Sequence, residues 1–96
     1  MSDWPSGYRI RIKKRAKKAL QPGGMSPRRQ AIATRFISEH LILDPLKHVP
    51  GRTKQLHGRH AGLFQYDIDE SYRLHYRVDT SERIVYVEYI GPHPKW

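Results

Sequence analysis

Between Tyr72 and Val78 the chain alternates without a break. Tyr72, Leu74, Tyr76 and Val78 form one series; Arg73, His75 and Arg77 form the other. Successive strand side chains point to opposite faces, so this run predicts a β-strand with one apolar and one cationic face. Two further runs share the period. Tyr8, Ile10 and Ile12 alternate with Arg9 and Arg11. Phe64, Tyr66 and Ile68 alternate with Gln65 and Asp67. Ile84 to Ile90 is apolar on both faces apart from Glu88, which predicts a central or doubly covered strand.

Helical spacing occurs twice. Lys13 to Leu20 consists of good helix formers with a narrow stripe of Ala16, Ala19 and Leu20, and Pro22-Gly23-Gly24 ends it. Ser26 suits a cap and Pro27 the first helical position. Ile32, Ala33, Phe36, Ile37, His40 and Leu41 then recur at intervals of three and four, predicting the main helix over about residues 27–42, closed by Asp44-Pro45. Arg28 and Arg29 stand at the positive end of its dipole, which is locally unfavourable and suits frayed surface positions or ligand-facing charges. Residues 45–55 hold two prolines and a glycine and read as a surface loop. Leu56-His57-Gly58 reads as a short strand or strand end, and 59–62 as a turn.

The patterns also constrain pairing. If the apolar faces coincide, Ile68 lies opposite Tyr72, Tyr66 opposite Leu74 and Phe64 opposite Tyr76, joined by the three-residue turn Asp69-Glu70-Ser71. Asp67 then faces Arg73 across the strands, and Gln65 faces His75. A four-residue turn from Thr80 to Arg83 would bring Val85, Val87 and Tyr89 onto the apolar face and set Glu88 beside His75. The expected fold is α+β: a small twisted antiparallel sheet packed against two N-terminal helices, with residues 1–96 forming a single domain.

Composition narrows the function. The net charge is +9. Residues 1–30 carry nine Lys/Arg against Asp3 alone, which favours a polyanionic partner. Cysteine is absent, so neither a disulfide framework nor a thiolate metal site is expected. His57-x-x-His60 with His75 lacks a well-spaced carboxylate partner, and no metal or other cofactor is expected. No apolar run nears the roughly 20 residues of a membrane helix, and no signal-peptide pattern opens the chain. A soluble cytoplasmic protein with no membrane partner is expected.

Short motifs add to this. His48-Val49-Pro50, Leu56-His57-Gly58, Tyr72-Arg73-Leu74-x-Tyr76 and Tyr89-Ile90-Gly91-Pro92-His93-x-x-Trp96 occur in that order. Together with the element order, they make the chain resemble the RelE/ParE superfamily of bacterial toxins from Tyr8 to Trp96. The resemblance implies the toxin of a type II toxin–antitoxin system. RelE-like members cut mRNA in the ribosomal A site without a metal. ParE-like members share the fold and inhibit DNA gyrase. Implied partners are a cognate antitoxin, the ribosome with its mRNA, and operator DNA through the antitoxin complex. A degenerate toxin retained as a binding partner is the third reading.

Cleavage through the 2′-hydroxyl needs a base, a cation for the phosphorane and an acid for the leaving oxygen. Arg73 matches the arginine with which the family binds the scissile phosphate; a structural pair with Asp67 is its other reading. His93 falls where several relatives keep a C-terminal histidine. It and His75 are the candidates for acid and base, with Asp67 or Glu88 as substitutes. Trp96 falls near the family's terminal tyrosine and can stack on a base without shuttling a proton. Where RelE carries catalytic lysines, this chain reads Phe64-Gln65-Tyr66-Asp67. Arg77 reads as a rim phosphate contact. Lys47, His48, Arg52, Lys54, His57 and Arg59, with His60, form a basic loop cluster, and Lys13, Lys14 and Lys17 a basic helical run. Each is an RNA-binding candidate or a solvated surface.

Overall fold

The structure is a computed structural model, in which residues 7–93 are described. Five strands form one sheet: β1 (Arg9–Ile12), β2 (Thr53–Gln55), β3 (Phe64–Asp67), β4 (Tyr72–Asp79) and β5 (Ile84–Pro92). Their order across the sheet is β1-β5-β4-β3-β2. Two helices lie between β1 and β2 in the chain: α1 (Lys14–Ala19) and α2 (Pro27–Phe36), the latter running on into a π-helical turn, Ile37–Leu41. Ser26 caps α2 as expected, its hydroxyl accepting from the Arg29 amide at 3.3 Å. Gly24 lets the intervening turn close on α1. A Cβ there would stand 2.5 Å from the Lys18 carbonyl oxygen and 2.6 Å from that of Ala19.

The α+β class holds, but the sheet is mixed and not antiparallel. β1 pairs with β5 in parallel, Arg9 beside Ile84 through Ile12 beside Val87. Alternation in a four-residue strand sets its faces and carries no information on its direction. β2 also departs from expectation. Residues 53–55 fall within the expected loop, yet they pair with β3 at the sheet edge. Leu56 to Gly58 is not a strand, and Gly58–His60 forms a 3-10 turn.

The β3–β4 register is the expected one: Phe64 beside Tyr76, Gln65 beside His75, Tyr66 beside Leu74, Asp67 beside Arg73. The β4–β5 turn likewise spans residues 80–83, since Asp79 pairs with Ile84. Further along, β5 breaks step. Tyr76 pairs with Val87 but His75 pairs with Tyr89, so Glu88 is an extra residue in a β-bulge. The parity of β5 reverses there. Val85, Val87 and Ile90 all enter the core, while Tyr89, expected on the apolar face, turns to the opposite face beside His75. Glu88, expected beside His75, instead sits between Lys13 at 4.0 Å and Arg77 at 3.6 Å.

The core lies between the helices and one sheet face. Ala16, Ala33, Leu41 and Leu74 are fully buried. Phe36 stacks on Tyr66 with ring centroids 3.7 Å apart and meets Tyr76 at 5.7 Å. Burial pushes the Tyr76 hydroxyl up to about 12. Arg29 is not frayed. Its Nε lies 2.6 Å from Asp69 Oδ2 and its guanidinium 3.9 Å from the Tyr72 ring centroid. Hydrogen bonding from Arg29 holds the Asp69 carboxyl down at about 2. Asp69 also accepts from the Ser71 and Tyr72 amides and so shapes the three-residue turn.

Leu74→Ala should cost about 2–5 kcal/mol in urea unfolding, because the side chain is wholly buried at the sheet centre. Leu43→Ala, at a residue 62% exposed, should stay within about 0.5 kcal/mol. Equal losses from the two would contradict this placement of the core.

Candidate functional site

The sheet face turned away from the apolar core carries the polar series of β3, β4 and β5. On β4 this series is Arg73, His75 and Arg77, backed by Gln65 and Asp67 on β3. Arg73 is held at several points. Its Nε lies 3.1 Å from Asp67 Oδ1, an ion pair rather than an aligned hydrogen bond. Its Nη1 donates to the Asp69 carbonyl at 2.6 Å and to that of Tyr72 at 3.2 Å. No hydrogen bond among the described residues uses Nη2. The side chain is 14% exposed.

His75 is the surprise of this face. A strand residue on the polar side is expected to meet solvent, yet His75 is 1% exposed. Its Nε2 lies 3.0 Å from Gln65 Oε1, and the Tyr89 ring, turned over by the bulge, stands 5.6 Å away. Burial first, then the charges of His60, His93, Arg73 and Arg15, drives its pKa down to about 4. His75 is therefore neutral at pH 7 and cannot serve there as a proton donor from a charged state.

The same charges map the neighbourhood. His93 lies just past β5, exposed, its amide donating to the Ser71 carbonyl at 2.9 Å. His60 comes from the 3-10 turn. Two residues on, a Cβ at Gly62 would stand 3.1 Å from Arg77 Nη1, so this loop lies against the polar end of β4. Arg15, from α1, donates to the Glu88 carbonyl at 3.1 Å and reaches toward the Tyr89 ring. Of these, Arg15 is tied to the bulge itself, through the Glu88 carbonyl.

The structure brings Arg73, Asp67, His75 and His93 into one neighbourhood, with Arg77 further along β4. Arg52 goes elsewhere. It donates to the Tyr66 hydroxyl at 3.0 Å and to the carbonyls of Asp67 and Ile68, tying the β2 edge to β3. Lys47, His48 and Lys54 border a separate cleft with Phe64 and Tyr76. His57, Arg59, Lys13, Lys14 and Lys17 are exposed. Trp96 lies outside the described residues. The sequence reading left Tyr89 out of the site, took Arg15 only as part of the basic helical run, and set His60 in the loop cluster or, with His57 and His75, in an unfavoured metal site. No periodicity marks a bulge partner or a loop neighbour. Among the described residues, no three His, Asp or Glu side chains are grouped so that they could hold a metal ion. The larger clefts, about 480 and 550 Å³, run along α2 and not over this face. A smaller one of about 260 Å³ lies between Arg15, Tyr72, Ile90 and Pro92, at its rim.

Solved structures similar to this chain include toxins and toxin–antitoxin complexes. The chain is similar to one in the RelBE2 toxin–antitoxin complex of Mycobacterium tuberculosis, at 26% identity and a TM-score of 0.70, covering 91% of this chain and 99% of that one. It is also similar to the YoeB/ParE toxin of Agrobacterium tumefaciens, at 18% identity and a TM-score of 0.71, over 90% and 99% of the two chains. A third is in the archaeal RelE–RelB complex of Pyrococcus horikoshii, at 20% identity and a TM-score of 0.67, over 93% and 98%. No protein-family model and no curated protein matches the sequence. The chain has the fold of the RelE/ParE superfamily of toxins.

The buried imidazole makes stability depend on pH. The unfolded chain takes up the His75 proton near pH 6.5, the folded chain only near pH 4, so stability is lost as pH falls through that window. The loss attributable to His75 should be about 3 kcal/mol. His40, lowered by burial, adds a loss of the same sign. Urea unfolding at pH 7 and pH 4.5 measures it. His75→Gln should flatten most of the difference, and an unchanged difference would contradict a buried neutral His75.

Proposed function

We propose that the chain is the toxin of a type II toxin–antitoxin system and that it cleaves mRNA on the ribosome. The observation carrying this reading is Arg73. It stands on a central strand, anchored by Asp67 and two carbonyls, with no hydrogen bond from Nη2 among the described residues, and His93 lies two residues past its β5 neighbour Gly91. A fixed guanidinium is suited to the charge that develops on a phosphorane. Asp67 acts by holding Arg73. His93, exposed at the end of β5, is the group placed to move a proton, and His75 serves as a neutral support. Arg77, Arg15 and the basic loop supply phosphate contacts, and Trp96 stacks on a base. The RelE–RelB and RelBE2 complexes support an antitoxin as the partner.

One observation favours a second reading, a ParE-like inhibitor that binds DNA gyrase. The region where RelE carries lysines reads Phe64-Gln65-Tyr66-Asp67 here, and its polar residues Gln65 and Asp67 are both used internally.

Induced expression with primer extension on translated transcripts decides between them. Growth arrest with cuts in the ribosomal A site is expected, falling at least 100-fold in Arg73→Ala and His93→Ala. Arrest with intact transcripts and blocked DNA supports gyrase inhibition instead, and absence of arrest would refute both.

A further inference from the structure

Beneath the cationic face runs a chain of polar contacts that a phosphate site does not itself require. His75 Nε2 meets Gln65 Oε1 at 3.0 Å. Gln65 Nε2 donates to Asp67 Oδ1 at 3.1 Å. The same Asp67 oxygen lies 3.1 Å from Arg73 Nε. His75 and Gln65 are buried, at 1% and 5% exposure. Four side chains from two strands are thus joined in series, and the central link is a neutral amide.

The chemistry of the links fixes their direction. An ionised carboxylate only accepts hydrogen bonds, so the Gln65 amide must turn its NH2 toward Asp67 and its oxygen toward His75. An amide oxygen also only accepts. The ring nitrogen facing it must therefore carry hydrogen. In a neutral imidazole that makes His75 the Nε2–H tautomer, with Nδ1 the nitrogen bearing the lone pair. Reversing the amide would set its oxygen against the Asp67 carboxylate, and two acceptors in a desolvated site repel.

We infer that Gln65 is a positioning residue that fixes the tautomer of His75 and holds the Asp67 carboxylate in place to orient Arg73. It touches no substrate. An ionised residue here would set a second charge against Asp67, whereas an apolar one would leave the buried imidazole N–H unpaired. Glutamine meets both requirements because it donates at one end and accepts at the other. The consequence for catalysis rests on the nuclease reading above; the tautomer and the order of Arg73 do not.

The test is nitrogen-15 NMR of the imidazole and guanidinium groups in the full chain at pH 7. In the wild type, His75 should show Nε2 protonated and Nδ1 unprotonated as a single species, and the Arg73 Nε–H should exchange slowly. Gln65→Leu should average the two His75 tautomers and speed Arg73 Nε–H exchange at least tenfold. Gln65→Glu still accepts from Nε2–H but faces Asp67, so it should keep the tautomer while releasing Arg73. If Gln65→Leu fails to fold, the wild type and Gln65→Glu remain decisive. A wild-type His75 protonated at Nδ1, or variants in which neither tautomer nor exchange changes, would overturn the proposal. Transcript cleavage is scored separately. A protein that cuts nothing but shows the fixed tautomer keeps the relay and refutes the nuclease reading.

Discussion

The bulge at Glu88 governs the molecule. β5 lies between β1 and β4, and it must furnish the core along its whole length while contributing to the opposite face. A strictly alternating strand of Val85-Tyr86-Val87-Glu88-Tyr89-Ile90 would bury Tyr89 and expose Ile90. One extra residue reverses the parity, so Ile90 joins Val85 and Val87 under the helices. The same reversal sets the Tyr89 ring near His75 and leaves Glu88 between Lys13 and Arg77. Core packing and the chemistry of the cationic face therefore depend on a single irregularity.

The second constraint is desolvation. A fully cationic strand face would be self-repelling. Here the charges are graded by depth. Arg77, at the open end, keeps a loose pairing with Glu88 at 3.6 Å. Arg73 is deeper and is held by Asp67 and two backbone carbonyls. His75, deepest of the three, carries no charge at neutral pH. Burial removes the charge at His75, while at Arg73 a built-in partner retains one.

How much of this was legible in the sequence follows from the kind of pattern each feature leaves. The β3–β4 register could be read because two alternating runs flank a turn whose length only one alignment satisfies. The Asp67–Arg73 pair came with it. β2 could not, because Thr53-Lys54-Gln55 has no apolar alternation and is a strand only through backbone pairing at an edge. The parallel direction of β1 was hidden because four alternating residues look alike either way. The bulge was masked by a segment apolar on both faces, in which either parity buries something suitable. His60 and Arg15 reach the site through a turn and a helix end, and such proximity belongs to the tertiary fold.

The parallel β1–β5 ladder joins the first of the described strands to the last, Arg9 beside Ile84. β1 gains its neighbour only after the other described elements have been made. Closing so long a loop before any reward in contacts slows folding. During synthesis, α1 and α2 emerge with nothing to cover, and the sheet has no centre until β5 is free. The cationic face is therefore completed last, and a nascent chain carries the charges of the site without its geometry.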